Sequence, residues 1–202
     1  GIARSLSTSA RRRDKVITWI YSFLSRNGRL FRAIGLILAL LFVWARWAPM
    51  DPLFDDPHST VLEDRSGRLL GASVAADGQW RMPPGTTIPS RFAQSLLLFE
   101  DRHFHAHWGI HFPSLMRAAM QNRRAGRIVS GGSTITMQLA RMALGSRERT
   151  RWNKALEILL ALRIELRFSK PEILALYCAN APFGGNVVGL EAGAWRWFGQ
   201  PP

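Results

Sequence analysis

Helical periodicity dominates the sequence from Pro89 onward, and it constrains the fold more than any other feature. Apolar residues recur three or four positions apart in successive segments, as they do along the buried face of an amphipathic helix. Pro113, the Ser133-Thr134 pair and a capping box at Ser169 and Glu172 mark helix starts. This half of the chain is therefore predicted to be mainly α-helical.

The first predicted helix has Phe92, Leu96 and Phe99 on one face and a buried C-terminal end at 95–99. The second begins near Pro113. Its apolar side is formed by Leu115, Met116, Ala119 and Met120. Further helices are predicted over 133–142, 152–166, 169–177 and 190–198, with loops at 126–132 and 182–185.

Residues 60–81 follow the alternating pattern of β-strands instead. Short apolar segments at 60–62 and 68–70 flank a turn at 64–67, which predicts a hairpin, and a second turn precedes residues 79–81. Pro83-Pro84-Gly85 closes this part of the chain. A small β-containing region is therefore predicted between the N-terminal segment and the helical body.

The N-terminal segment is basic and then apolar. The net charge of the chain is +13, and nine of the Lys and Arg residues lie in the first 50 positions, where Asp14 is the only acidic residue. No charge occurs from Ala33 to Ala45, Arg32 and Arg46 flank this run, and acidic residues follow it. Basic residues before an apolar run and acidic residues after it predict a transmembrane anchor with a cytoplasmic N-terminus.

Two alternatives to the anchor are a cleaved signal peptide and an amphipathic helix on the membrane surface. No small-x-small cleavage site follows the apolar run, so the uncleaved anchor is favoured. Four parts are predicted: a basic tail at 1–32, the anchor at 33–49, the β-containing region at 50–85 and the helical domain at 86–202. The weaker basic excess of the body suits an anionic partner such as phosphate, nucleic acid or a lipid headgroup.

Glu100 and Asp101 follow the apolar end of the first predicted helix. Carboxylates are seldom buried without a partner or a use. These two residues could form a salt-bridged helix end with Arg102, or they could supply a group for acid–base catalysis.

Other candidate residues also allow two interpretations. Lys154 and Glu157, three positions apart, could be a surface ion pair, and Ser133-Thr134 could be only a helix cap. The histidines at 103, 105, 107 and 111 suggest a metal site by density. No cysteine accompanies them, however, and their spacing is not a known zinc pattern. His107 is expected to pack structurally near Glu100. Cys178, the single cysteine, has no disulfide partner in the chain.

Three motifs occur in order: Glu100-Asp101-x-x-Phe104-x-x-His107-x-Gly109, then Gly131-Gly132-Ser133-Thr134-Ile135-Thr136-x-Gln138, then Lys154-x-x-Glu157 followed by 169–177. Together they resemble the peptidoglycan glycosyltransferase domain, glycosyltransferase family 51, of class A penicillin-binding proteins. Residues 59–62, 136–138 and 181–185 resemble the 1C type most. The resemblance covers about residues 58–202.

The resemblance implies a lysozyme-like helical fold and a processive reaction. In that reaction, the 4-hydroxyl of lipid II attacks the growing glycan, and undecaprenyl diphosphate leaves with inversion. Glu100 matches the family's general base, and Glu157 matches its second glutamate, on the leaving-group side. The positions matching substrate-binding residues are Asp101, Phe104, His107, Ser133, Thr134, Gln138, Arg141, Arg149 and Lys154. Some positions depart from the family pattern, namely Met137, Met142, Asn153, Ala179 and Gln200.

The resemblance also implies location in the bacterial cytoplasmic membrane, with a single span, the catalytic domain on the periplasmic side and other cell-wall synthesis proteins as partners. No nucleic-acid partner, metal site or required cofactor is expected, although Mg²⁺ or Mn²⁺ could accompany the diphosphate. Residues 86–202 are expected to be a C-terminally incomplete domain. Because no Ser-x-x-Lys motif is present, no penicillin-binding chemistry is expected from these residues. A glycan hydrolase and a non-catalytic scaffold for cell-wall assembly are the alternatives.

Overall fold

The computed structural model describes residues 28–50, 52–145 and 150–202. It divides into two units, Gly1–Pro49 and Met50–Pro202, which are described separately. The described part of the first unit contains helix α1, Gly28–Trp47, which is long and apolar enough to cross a membrane. The predicted basic tail lies mostly outside the described residues.

The second unit begins with the predicted hairpin. Strand β1, Val61–Glu63, pairs antiparallel with β2, Leu69–Ala72. Asp64 closes the turn because its Oδ1 accepts hydrogen bonds from the backbone N–H groups of Ser66 and Arg68, at 2.8 and 2.9 Å. The turn chemistry in the sequence therefore identified this hairpin correctly.

A second strand pair was not predicted. Strand β3, Trp80–Arg81, pairs in parallel with β4, Val187–Val188, so residues from the β-containing region join the end of the helical body. Buried Arg81 fixes this region from inside: it donates to the carbonyl of Pro57 at 2.7 Å and pairs with Asp77 at 2.9 Å. A pairing between strands about a hundred residues apart has no local sequence signal.

Six helices and one short 3₁₀ turn complete the described residues of this unit. They are α2 (Ser90–Glu100), the 3₁₀ turn (Phe104–Ala106), α3 (Phe112–Ala125), α4 (Ile135–Ala143), α5 (Arg151–Arg167), α6 (Lys170–Asn180) and α7 (Leu190–Phe198). Thr134 caps α4 and the Ser169–Glu172 capping box begins α6, as predicted. The fold is mainly α, as the sequence indicated.

Helix α4 forms the centre of the core. Ile135, Met137, Leu139 and Ala140 are fully buried, so the helix is covered on nearly all sides. It packs against α5 and α6, and residues of both helices belong to the same core cluster. A short helix surrounded in this way is held rigidly, and side chains that project from it have well-defined positions.

Two apolar segments lie differently from the prediction. The end of α2 is not buried: Leu98 and Phe99 are 64% and 89% exposed, and Leu96 and Leu97 contact the core instead. Consecutive residues are 100° apart on a helix, so they cannot all face one side. On α3, Met116 and Met120 are exposed, whereas Ala118 is the buried residue. The unit therefore displays apolar surface on α2 and α3.

Candidate active site

Glu100 is the last residue of α2, where the helix opens into the 3₁₀ turn. Its side chain is half-buried, and its Oε2 accepts a hydrogen bond of 2.8 Å from Nε2 of Gln138 on α4. Gln138 in turn accepts a hydrogen bond of 3.2 Å from the hydroxyl of Tyr177 on α6. The side-chain amide of Gln138 thus connects Glu100 to α4 and α6.

Glu157 lies on α5 and is 4% exposed. Arg141 binds both of its oxygens, at 2.6 and 3.1 Å, and Lys154 donates to Oε2 at 2.9 Å. Burial by itself raises the pKa of Glu157, but these hydrogen bonds outweigh it and hold the pKa below its ordinary value. The interpretation of Lys154 and Glu157 as a surface ion pair is therefore wrong.

Arg141 and Lys154 differ from Glu157 in being accessible. Their side chains are 31% and 32% exposed, against 5% for the carboxylate between them. Lys154 also donates to Oγ of Ser133, at 2.8 Å, which brings α5 to the loop before α4. A buried anion thus holds two cations at a surface, where an anionic ligand can reach them.

A groove of about 850 Å³ brings the two glutamates together. Among its lining residues are Glu100, Glu157, Gln138, Arg141, Lys154 and Ser133. A second cavity of about 600 Å³ also reaches Glu100; Asp101, Arg102, His103, His111, Arg117 and Thr134 are among its lining residues. Glu100 therefore lies between the groove and the second cavity. The cation pair, Arg141 and Lys154, lines the groove.

The loop at 126–132 forms part of both walls. Asn122 on α3 accepts hydrogen bonds from the backbone N–H groups of Val129 and Ser130, at 2.8 and 2.9 Å. A Cβ on Gly132 would lie 2.8 Å from the carbonyl oxygen of Ser114 and 2.9 Å from Cα of Leu115. Only glycine fits this close approach of the loop to α3, which places Ser133 beside Lys154.

Asp101 supports the site from within. Its buried carboxylate accepts hydrogen bonds from Nε2 of His107 and from the backbone N–H of Ile135, both at 3.1 Å. It therefore joins the segment after Glu100 to the first turn of α4. Thr134 completes this junction, because its hydroxyl donates to the carbonyl of Gly109 and accepts from the N–H of Met137. His107 is buried, and its side-chain partner is Asp101, the residue after Glu100.

Removing this junction is expected to destabilise the domain. Asp101→Ala leaves the N–H groups of His107 and Ile135 without their acceptor, which costs about 2–4 kcal/mol. Denaturant unfolding of the full chain in detergent measures the loss, and the matched change at exposed Asp55, Asp55→Ala, should stay within about 0.5 kcal/mol of wild type. Equal stability of the two variants would contradict this supporting role.

The other predicted site residues are placed as follows. Phe104 is fully buried and packs under Lys170, whose Nζ lies 4.5 Å from the ring centroid. The rings of His103 and His111 stack at 4.4 Å. In the described ranges, no cluster of three His, Cys, Asp or Glu side chains is arranged to hold a metal ion. Arg149 lies outside the described residues. Direct substrate contact by Asp101, Phe104 and His107 stays a prediction.

Two features of the site had no role in the sequence analysis. Tyr177 belongs to the third motif, but its link to Gln138 depends on two helices that the sequence does not position. Glu165 is the second: its carboxylate accepts from Lys170 at 2.8 Å and from Thr136 at 2.6 Å. Lys170 also donates to the carbonyl of His107 at 2.8 Å. The Glu165–Lys170 pair therefore holds the residue that follows the 3₁₀ turn.

Comparison with known proteins gives the family. The family model described as Transglycosylase matches residues 67–202. Penicillin-binding protein 1C of Escherichia coli is 39% identical over 152 residues, covering 75% of this chain and 20% of that protein. Penicillin-binding protein 1A of Aquifex aeolicus is 36% identical over 170 residues, covering 83% of this chain and 23% of that protein.

These two relatives are much longer than the chain, which spans about a fifth of their length. A shorter relative, the biosynthetic peptidoglycan transglycosylase of Burkholderia thailandensis, is 31% identical over 203 residues, covering the whole chain and 76% of that protein. The family model covers the residues that form the groove, including both glutamates and the cation pair. This chain belongs to the transglycosylase family.

Proposed function

We propose that this chain is a peptidoglycan glycosyltransferase that polymerises lipid II into glycan strands. The observation that carries the proposal is the groove in which Glu100 faces the Arg141–Glu157–Lys154 cluster. A proton acceptor and a cationic surface in one groove suit transfer from a diphosphate-linked sugar. The transglycosylase relatives support the same class of reaction.

Glu100 acts as the general base. A sugar hydroxyl is a weak nucleophile at neutral pH, so a base must take its proton as it attacks. Gln138 occupies Oε2 of Glu100, and Oε1 takes no hydrogen bond from the described residues. The acceptor 4-hydroxyl transfers its proton to this oxygen while its own oxygen bonds to the anomeric carbon. The bond from that carbon to the diphosphate breaks on the opposite face, which inverts the configuration.

Arg141 and Lys154 stabilise the leaving diphosphate, which gains negative charge as this bond breaks. Glu157 does not compete with Glu100 for the proton, since both of its oxygens accept hydrogen bonds from these cations. Its role is to orient the two cations. The donor therefore lies in the groove of about 850 Å³, and the acceptor approaches Glu100 from the second cavity.

A divalent cation bound by the protein does not fit this side of the groove. Glu157 is the carboxylate nearest the cations, and its oxygens are already used by Arg141 and Lys154. Mg²⁺ and Ca²⁺ require several oxygen ligands in proteins. A metal ion at this site would therefore have to arrive on the diphosphate itself.

We also propose that α1 anchors the chain in the membrane that holds the lipid-linked substrate. The exposed apolar side chains at the end of α2 and on α3 suit the lipid portion of that substrate, since Phe99 also lines both cavities. The proposed location is the bacterial cytoplasmic membrane, with the catalytic unit on the periplasmic side. Contacts with other cell-wall synthesis proteins belong to the same proposal.

One assay tests the function directly. The purified full chain is incubated in detergent either with lipid II or with preformed glycan, and the products of each reaction are separated by size. We expect glycan polymer, formed from lipid II alone. Fragments released from preformed glycan without polymer would indicate a hydrolase instead, and the absence of any product, despite binding of lipid II, would indicate a scaffold.

A further inference from the structure

Tyr177 forms the buried end of a hydrogen-bond chain that reaches the groove. It is 8% exposed, and its hydroxyl lies 3.2 Å from Oε1 of Gln138. Nε2 of the same amide lies 2.8 Å from Oε2 of Glu100. Gln138 therefore has one end directed at a phenol in the core and the other at the carboxylate in the groove.

The direction of this chain is fixed by the chemistry of its two ends. An ionised carboxylate only accepts hydrogen bonds, so Gln138 must present its NH₂ to Glu100. Burial and the charge of Glu100 raise the pKa of Tyr177 to about 12, so the phenol keeps its proton at neutral pH. That proton needs an acceptor, and the carbonyl oxygen of Gln138 provides it.

Rotation of the amide by 180° would break both contacts. The carbonyl of Gln138 would then face the carboxylate of Glu100, where two acceptors repel each other. The NH₂ group would face the phenol, whose own proton would lose its acceptor inside the core. In the rotated orientation of Gln138, the buried Tyr177 hydroxyl would have no acceptor, which raises the free energy of that orientation.

From this geometry we propose that Tyr177 is a positioning residue, which holds the Gln138 amide in the orientation that binds Oε2 of Glu100. The inference rests on the proposed function, since it concerns the general base of that reaction. Because the Tyr177–Gln138 hydrogen-bond chain holds Oε2 of Glu100, Oε1 is left to take the proton of the acceptor hydroxyl.

Tyr177→Phe removes the hydroxyl and keeps the ring that packs in the core. We expect kcat for lipid II polymerisation to fall about 5- to 10-fold, with KM within about 2-fold of wild type, because loss of one hydrogen bond costs about 1 kcal/mol. A structural role alone would lower stability without this loss of kcat in the folded protein.

Two further variants separate positioning from packing. Ile173→Val, in a fully buried position on the same helix, should lower stability and leave kcat of the folded protein within about 2-fold of wild type. In a double-mutant cycle, Tyr177→Phe should add little to Gln138→Ala, because Tyr177 acts through that amide. Additive effects in the cycle, or an unchanged kcat in Tyr177→Phe, would overturn the inference.

A readout independent of turnover keeps the two proposals distinguishable. In ¹⁵N-labelled protein, the side-chain amide signal that disappears in Gln138→Ala belongs to Gln138. We expect this signal to shift toward that of a solvated glutamine in Tyr177→Phe. An unchanged signal would refute the positioning role even in an active enzyme. Failure of the wild type to polymerise lipid II would instead refute the proposed function, and the amide signal would still decide the inference.

Discussion

Glu100→Gln is expected to reduce glycan polymerisation by about 10³-fold or more, because it removes the proton acceptor and changes little else. The amide has nearly the shape of the carboxylate, so the groove and α2 should keep their structure. It cannot accept the proton of the attacking hydroxyl, which must then lose that proton to water. Polymerisation of fluorescent lipid II, followed by gel separation of the products, measures the loss.

The comparison variant is Glu63→Gln, which makes the same chemical change at an exposed position on β1. It should polymerise lipid II at the wild-type rate. Binding of labelled lipid II to Glu100→Gln should remain within about 3-fold of wild type, since a general base contributes chiefly to the transition state. Polymerisation by Glu100→Gln at more than a tenth of the wild-type rate would rule out Glu100 as the base.

The local parts of the fold could be read from the sequence. The turn that begins at Asp64, the cap at Thr134 and the capping box at Ser169 each depend on residues within a few positions of one another. The pairing of β3 with β4 could not be predicted, because it joins segments about a hundred residues apart. Local hydrogen bonding is encoded locally, whereas this pairing depends on how the helices pack.

The exposure of Phe99 and Met116 was also beyond sequence reasoning. An apolar residue at helical spacing is usually buried, and the pattern alone does not distinguish a core face from a face reserved for a ligand or a membrane. On α3 the buried position is Ala118, a small residue that lets the helix approach its neighbours. Phe99 lines the groove, where a bound ligand would cover its ring.

The residues of the candidate site could be grouped into one site only through the family resemblance. The residues alone allowed Lys154 and Glu157 to be a surface ion pair, because their spacing on a helix predicts no more than that. What makes Glu157 different is Arg141, sixteen positions away on another helix, which binds both oxygens of the buried carboxylate. Tyr177 had no assigned role for the same reason: its partner Gln138 lies on another helix.

Lys154→Ala is expected to lower kcat for polymerisation by about 10²- to 10³-fold, because it removes a positive charge where the diphosphate gains negative charge. Glu157 would keep Arg141 as a partner, so the groove should persist with one cation fewer. Lys154→Arg keeps the charge and should lose less than about 10-fold, although a guanidinium cannot reproduce the contact with Ser133. Steady-state kinetics with lipid II gives kcat and KM for each variant.

Arg65→Ala provides the control for net charge, since it removes one positive charge from the exposed hairpin turn. Its rate should equal that of the wild type at the same ionic strength. The decisive quantity is how the effect of Lys154→Ala divides between kcat and KM. A cation that stabilises the leaving group acts in the transition state, so most of the loss must appear in kcat. A rise in KM with kcat unchanged would mean that Lys154 only holds the bound diphosphate, and the leaving-group role would then fall to Arg141 alone.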